Sequence, residues 1–233
     1  MKEKRLENLE FEFDGTDYTI GFTINEAREL SQYSLQRGSD MTDAQFLKFA
    51  LKKFSDDVYI TDKRAKEIQE ALFEHGLDTL ELGHLSYEEV IGYMIGLFGQ
   101  TIDDEASQVE PALIVINKDN SLDVTVGDKT YTLKFTREII EETAKTENGF
   151  RFGNVFDLYA WGSSLVEVAL RHYKKRFSLK LREQIFLSMW ATTLDEDIEN
   201  NLAEALNALL FHMNEVVESG AKKSLKPTLR AKN

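Results

Sequence analysis

Two stretches of the chain alternate apolar and polar side chains around a polar Gly/Asp turn. Residues 9–23 read LEFEFDGTDYTIGFT and residues 122–136 read LDVTVGDKTYTLKFT. This period-two alternation predicts a β-hairpin in each. At an offset of 113, Leu9, Tyr18, Thr19, Phe22 and Thr23 meet Leu122, Tyr131, Thr132, Phe135 and Thr136 identically. Phe11, Phe13 and Ile20 meet Val124, Val126 and Leu133 conservatively.

Downstream of each hairpin the pattern changes to the helical period. Phe46, Phe49, Ala50 and Phe54 form one apolar face, and Ala65, Ile68 and Leu72 another. In the second half Leu165, Ala169, His172 and Tyr173 line one stripe, and Leu181, Ile185 and Met189 a second. Leu202, Leu206, Leu209, Leu210 and Met213 point inward from a closing helix. The matching also continues. Phe49-Ala-Leu-Lys-Lys-Phe54 resembles Val168-Ala-Leu-Arg-His-Tyr173 at an offset of 119, which places about six extra residues near 148–154 of the second copy. Thr61 and Ser178 each stand where a helix N-cap is expected. Ile95-Gly-Leu-Phe98 lies against Ala208-Leu-Leu-Phe211. The expected fold is therefore α+β and helix-dominated, a tandem duplication of a β-hairpin followed by several amphipathic helices. Strand outside the hairpins is expected only at Leu113–Ile116. The domain reading is a first repeat over 1–105, a linker over 106–112, a second repeat over 113–218 and a flexible basic tail over 219–233, with Gly220 as the helix stop.

Composition narrows the chemistry. The chain has 233 residues, 42% hydrophobic and 30% charged, with no Cys and a formal charge of −13. Without Cys there are no disulfides, thiolate-held metals or thiol nucleophiles. The tail carries five cations (Lys222, Lys223, Lys226, Arg230, Lys232) and no acid, so residues 1–218 stand at −18. That balance argues against general nucleic-acid binding, which needs clustered Lys and Arg. The charged N-terminal residues lack the apolar run of a signal peptide, and no stretch has the length of a membrane span. The expectation is a cytoplasmic protein with no membrane partner.

Candidate sites are few. Dinucleotide, Walker, nucleophile-elbow and zincin motifs are absent from the sequence. Gly92–Gly99 looks like a Gly-rich loop, but its apolar spacing is helical. His75, His84, His172 and His212 are scattered, and the oxygen-rich run Asn117–Asp123 fails as a calcium loop because Leu122 takes the place of the required Gly. The reading is therefore non-enzymatic, with no cofactor and no metal. Aromatic residues are dense near the helices, and the segment Phe156–Trp161 puts bulky groups on more than one face. Phe46, Phe49, Phe98, Phe156, Tyr159, Trp161 and Tyr173 are accordingly the candidate partner-binding residues.

The order of GDKTYTLKFTREIIEE (Gly127–Glu142), the Gly149-Phe150 turn, the helix ending ALRHYKK (Ala169–Lys175) and an acidic closing helix resembles the small tail assembly chaperones of long-tailed phages and prophages of Gram-positive hosts. In the first half the likeness rests on TDYTIGFT and FALKKF. Members of that family commonly hold one copy of the unit, and this chain holds two. The resemblance implies a chaperone that binds the long, helical tape measure protein and helps tail tube subunits assemble around it in the host cytoplasm, with self-association left open. The alternative from charge alone is an acidic phage-encoded inhibitor that blocks a basic host protein.

Overall fold

The structure, a computed structural model, describes residues 5–37, 41–53, 60–79, 82–144, 157–195, 198 and 200–224. Among these residues eight α-helices accompany three small antiparallel sheets, the α+β, helix-dominated class that the sequence patterning predicts. The chain divides into two compact units, Met1–Glu105 with Phe152–Ala160, and Ala106–Arg151 with Trp161–Asn233.

The first unit runs β1 (Leu9–Phe13), β2 (Thr16–Ile20), α1 (Ile24–Arg37), α2 (Asp43–Ala50), β3 (Leu51–Lys53), α3 (Asp62–His75), β4 (Leu77–Thr79), β5 (Gly83–Leu85) and α4 (Tyr87–Ala106). The second runs β6 (Leu113–Ile116), β7 (Leu122–Val126), β8 (Lys129–Leu133), α5 (Arg137–Ala144), α6 (Asp157–Leu170), α7 (Leu179–Ala191) and α8 (Leu202–Ser224). The residues of α6 through Ala160 group with the first unit.

Both predicted hairpins form, in the same register: Leu9 faces Ile20 and Leu122 faces Leu133. Their two-residue turns differ. Asp14 and Gly15 both take positive φ, 52° and 67°, as a type I′ turn requires. In Gly127-Asp128 only the glycine does, at 57°, which is the type II′ arrangement with Gly in first place. The equivalence extends into the helices. Gly21 N–H donates to the Ala50 carbonyl at 2.8 Å, and Lys134 N–H donates to the Ala169 carbonyl at 3.3 Å, a matched pair at the offsets 113 and 119 read from the sequence.

Helix starts repeat as well. The Thr23 hydroxyl accepts from Glu26 N–H before α1, and the Thr136 hydroxyl accepts from Ile139 N–H before α5. Thr61 caps α3 and Ser178 caps α7, as expected. Reciprocal capping boxes open the last helix of each unit, Ser86 with Glu89 and Asn201 with Glu204. These boxes align α4 with α8 at an offset of 115, so buried Val90, Met94 and Leu97 correspond to buried Ala205, Leu209 and His212. The sequence match of Phe98 with Phe211 is thus two residues out of register: Phe98 is buried and Phe211 is 64% exposed. The insertion inferred near 148–154 lies outside the described residues.

Three expectations are corrected. Strand is not confined to the hairpins and β6. β3 pairs with β2, Thr19 opposite Lys52, and β4 pairs with β5 around the positive-φ Gly83. The segment around Ala50–Lys53 reads as a helical face, but α2 ends at Ala50 and the chain extends along the free side of β2. The expected linker is partly ordered structure. Ala106 is the buried last residue of α4, and Ala112 N–H donates to the Ser188 carbonyl at 2.8 Å. Nor does Gly220 stop the last helix. α8 continues to Ser224.

The core of the first unit gathers Tyr18, Ile20, Leu30, Leu47, Ile68 and Met94, and that of the second Leu122, Leu133, Leu165, Ile185 and Phe186. The outer edge of β6 is capped, since Ser188 takes the Ala112 N–H and Asn200 Nδ2 donates to the Ile114 carbonyl at 3.0 Å. No helix among the described residues is long and apolar enough to cross a membrane.

Candidate functional site

The candidate aromatic residues separate by burial. Phe46 and Phe98 are buried in the first unit and pack on Phe22, with ring centroids 6.1 and 5.8 Å apart. Phe49 is half-buried against Tyr33. Tyr159 is buried, its hydroxyl accepting from Arg28 Nε at 3.3 Å, and Trp161 is buried too. Phe156 lies outside the described residues. Of the seven, Tyr173 alone is described as exposed, so four of the proposed partner-binding rings are core instead. The bulky groups on more than one face of α6 are explained by burial. Even Gly162 approaches so closely that an added Cβ would lie 2.5 Å from the Phe186 ring.

The exposed Tyr173 leads to a feature that whole-chain charge conceals. Between Arg171 and Arg182 the sequence holds six cations (Arg171, Lys174, Lys175, Arg176, Lys180, Arg182) and no acid. α6 ends at Leu170 and a 3-10 turn covers Arg171–Tyr173. Lys174 then adopts a left-handed conformation at φ 53°, uncommon for a side-chain-bearing residue, and turns the chain toward the Ser178 cap of α7. The result is a cavity of about 550 Å³ walled by Arg171, Lys174, Lys175, Arg176 and Arg182, with Leu170 and Phe177 as apolar lining.

Neighbouring groups hold this wall in place. The Tyr173 hydroxyl accepts from Thr132 N–H at 2.8 Å, tying the turn to β8. Phe177 meets Tyr173 edge-on at 5.5 Å and Tyr131 at 6.0 Å, and Lys175 Nζ sits 4.8 Å from the Phe177 ring centroid. Glu167 is the one acid of the lining and is engaged by Arg171 at 3.5 Å and by Arg182. Lys174, Lys175 and Arg176 are exposed and make no ion pair among the described residues. Burial, with Lys134 nearby, holds the His172 imidazole below its ordinary range against the opposing bond to Ala169, and its Nδ1 lies 2.8 Å from the Ala169 carbonyl. Neutral His172 thus serves the turn rather than adding charge to the cavity.

The first unit presents the opposite sign. A cavity of about 540 Å³ beside β1 is lined by Glu10, Glu12, Asp17 and Asp78 with Phe11, Tyr18 and Thr79. Among the described residues no group of three or more His, Asp and Glu is placed to hold a metal ion. The arrangement can therefore bind by charge in two places, cationic in the second unit and anionic in the first. Sequence reading overlooked the cationic one. Its signal was local, six cations in a short acid-free run, within a chain whose sum is strongly negative.

Compared with family models, with curated proteins and with solved structures, the chain matches none.

Proposed function

We propose that this protein is a non-enzymatic tail assembly chaperone that binds a helical tape measure protein and aids tail tube assembly. The observation that carries the reading is the repeated unit. Two hairpins in one register, each bonded through the same position to the end of a following helix, recur with Thr23 and Thr136 as matched caps. That order of hairpin and helices is the one for which the sequence resembles such chaperones. Two units in one chain raise the effective concentration of the second once the first has engaged, which suits a long partner presenting repeated helical segments. The test is co-expression with the tape measure protein encoded alongside. The expected result is a soluble complex that co-purifies. A tape measure protein equally soluble alone, and absent from the purified chain, overturns the reading.

The acidic cavity of the first unit favours a second reading, an inhibitor that blocks a basic host protein. It ranks lower because the cationic wall of the second unit breaks the one-sign surface that nucleic-acid mimicry needs. Binding to a basic host protein that persists undiminished at high salt would count against it.

A further inference from the structure

We infer that the cationic cavity of the second unit is a docking site for a carboxylate-rich, amphipathic protein segment. The inference rests on the cavity and not on the tape measure reading, so either can fail while the other stands. Lys174, Lys175 and Arg176 converge on about 550 Å³ without an ion-pair partner among the described residues. Unpaired like charges at one place repel one another, so an anion that gathers them gains more than a lone surface pair would. The wall is also pre-set. Tyr173 is tied to β8, Phe177 is wedged between Tyr173 and Tyr131, and Lys175 lies over the Phe177 ring. Less ordering is then left to be supplied on binding.

Charge and apolar surface together select the occupant. The cavity lining itself sets the half-buried Phe177 ring among the cations, and Leu179, three residues before Arg182 on α7, is 71% exposed, so apolar contact is offered as well as charge. An acidic amphipathic segment uses both. A nucleic acid long enough to gain from counterion release would extend past this patch over a chain of net charge −13, where its phosphates are repelled. A small inorganic anion would leave the apolar Phe177 lining unused. Glu167 acts as a brake, since it occupies Arg171 and Arg182 and lowers the positive field of the cavity.

The test uses the full chain and a fluorescein-labelled helical peptide of glutamate and leucine, followed by anisotropy at low and moderate salt. Saturable binding that weakens as salt rises is expected. Lys175→Glu with Arg176→Glu should weaken it by about a hundredfold, roughly tenfold for each reversed charge. Lys175→Ser with Arg176→Ser should act in the same direction and guards against misfolding of the reversed variant. Glu167→Gln should bind several-fold more tightly, an increase that a merely structural role for the pair would not produce. Absence of peptide binding, or binding indifferent to the Lys175 and Arg176 changes, overturns the inference. So does tighter binding of a poly-thymidine oligonucleotide or of pyrophosphate than of the peptide. Self-association of the chain that disappears with the same two substitutions also overturns it, by assigning the cavity to a second copy.

Discussion

The two hairpins are near-copies, yet each builds a different sheet around itself. In the first unit β2 is the central strand, because β3 returns after two helices and pairs with it. In the second, β7 is central, because β6 arrives before the hairpin and pairs on the other side. The position filled by β3 is handled otherwise in the second unit. The bond between Gly21 and Ala50 makes Thr19 and Lys52, two residues along the antiparallel ladder, a hydrogen-bonded pair. At the matched position Thr132 N–H is satisfied by a single side chain, the Tyr173 hydroxyl. A backbone donor at a sheet edge bonds to a strand, a side chain or water, and here the two units use a strand and a phenol at the same position. In the second unit the chain turns at Lys174, directly after that phenol, into the cationic loop 174–177.

The largest expected contrast lies at the matched tyrosines. Tyr18 is fully buried, stacked on Phe11, and its hydroxyl accepts from Arg64 Nε at 2.9 Å. Tyr131 is only half-buried against Phe177. Tyr18→Ala should cost about 3–5 kcal/mol and Tyr131→Ala about 1–2 kcal/mol in denaturant unfolding. Equal losses would show that the two hairpins carry the same load and break the contrast. Next comes the edge itself. Lys52→Pro removes a ladder donor and should destabilise by about 3 kcal/mol, whereas Tyr173→Phe, which deletes one hydroxyl, should cost about 1 kcal/mol. A Tyr173→Phe loss as large as that of Lys52→Pro would mean the phenol does more than close an edge.

A contrast of another kind is a pH dependence at Tyr87 of the first unit. Tyr87 donates to the Asp43 carboxylate at 2.6 Å, and burial first, then this bond, push its pKa from 10.0 to about 12. The folded state therefore favours the neutral phenol. Its contribution is whole below about pH 10 and is lost as pH rises from about 10 to about 12, where the unfolded chain ionises first. The capping boxes place Leu202, which cannot ionise, at the matching position of the second unit. The stability gap between wild type and Tyr87→Phe should narrow across that window, read from thermal midpoints. A constant gap would show that the phenol titrates normally.

Much of the framework was legible because its causes are local. Alternation marks strands, a DG or GD pair marks a turn that needs positive φ, and Thr or Ser before an apolar period marks a cap. β3 was hidden because Phe49-Ala-Leu-Lys-Lys-Phe54 satisfies the helical period as well as any strand pattern, and only the open side of β2 decides between them. The aromatic density of α6 suits a core as well as a partner surface, and burial of Tyr159 and Trp161 is decided by neighbours, since a sequence shows that a ring is apolar and not which neighbours cover it. The cations 171–182 were in plain view. What made them a site was Lys174 turning the chain and Tyr173 and Phe177 bracing it, contacts with β8 residues some forty positions earlier.

By itself, then, the sequence determined the repeat, the hairpin register, the Thr61 and Ser178 helix caps and the overall acidity, because each follows from local pattern or from composition. The tertiary structure alone decided which hairpin strand became central, which aromatic rings entered the core and where unpaired cations gathered. Those outcomes depend on which distant backbone or side-chain group is placed to satisfy a given position, and no local pattern encodes that.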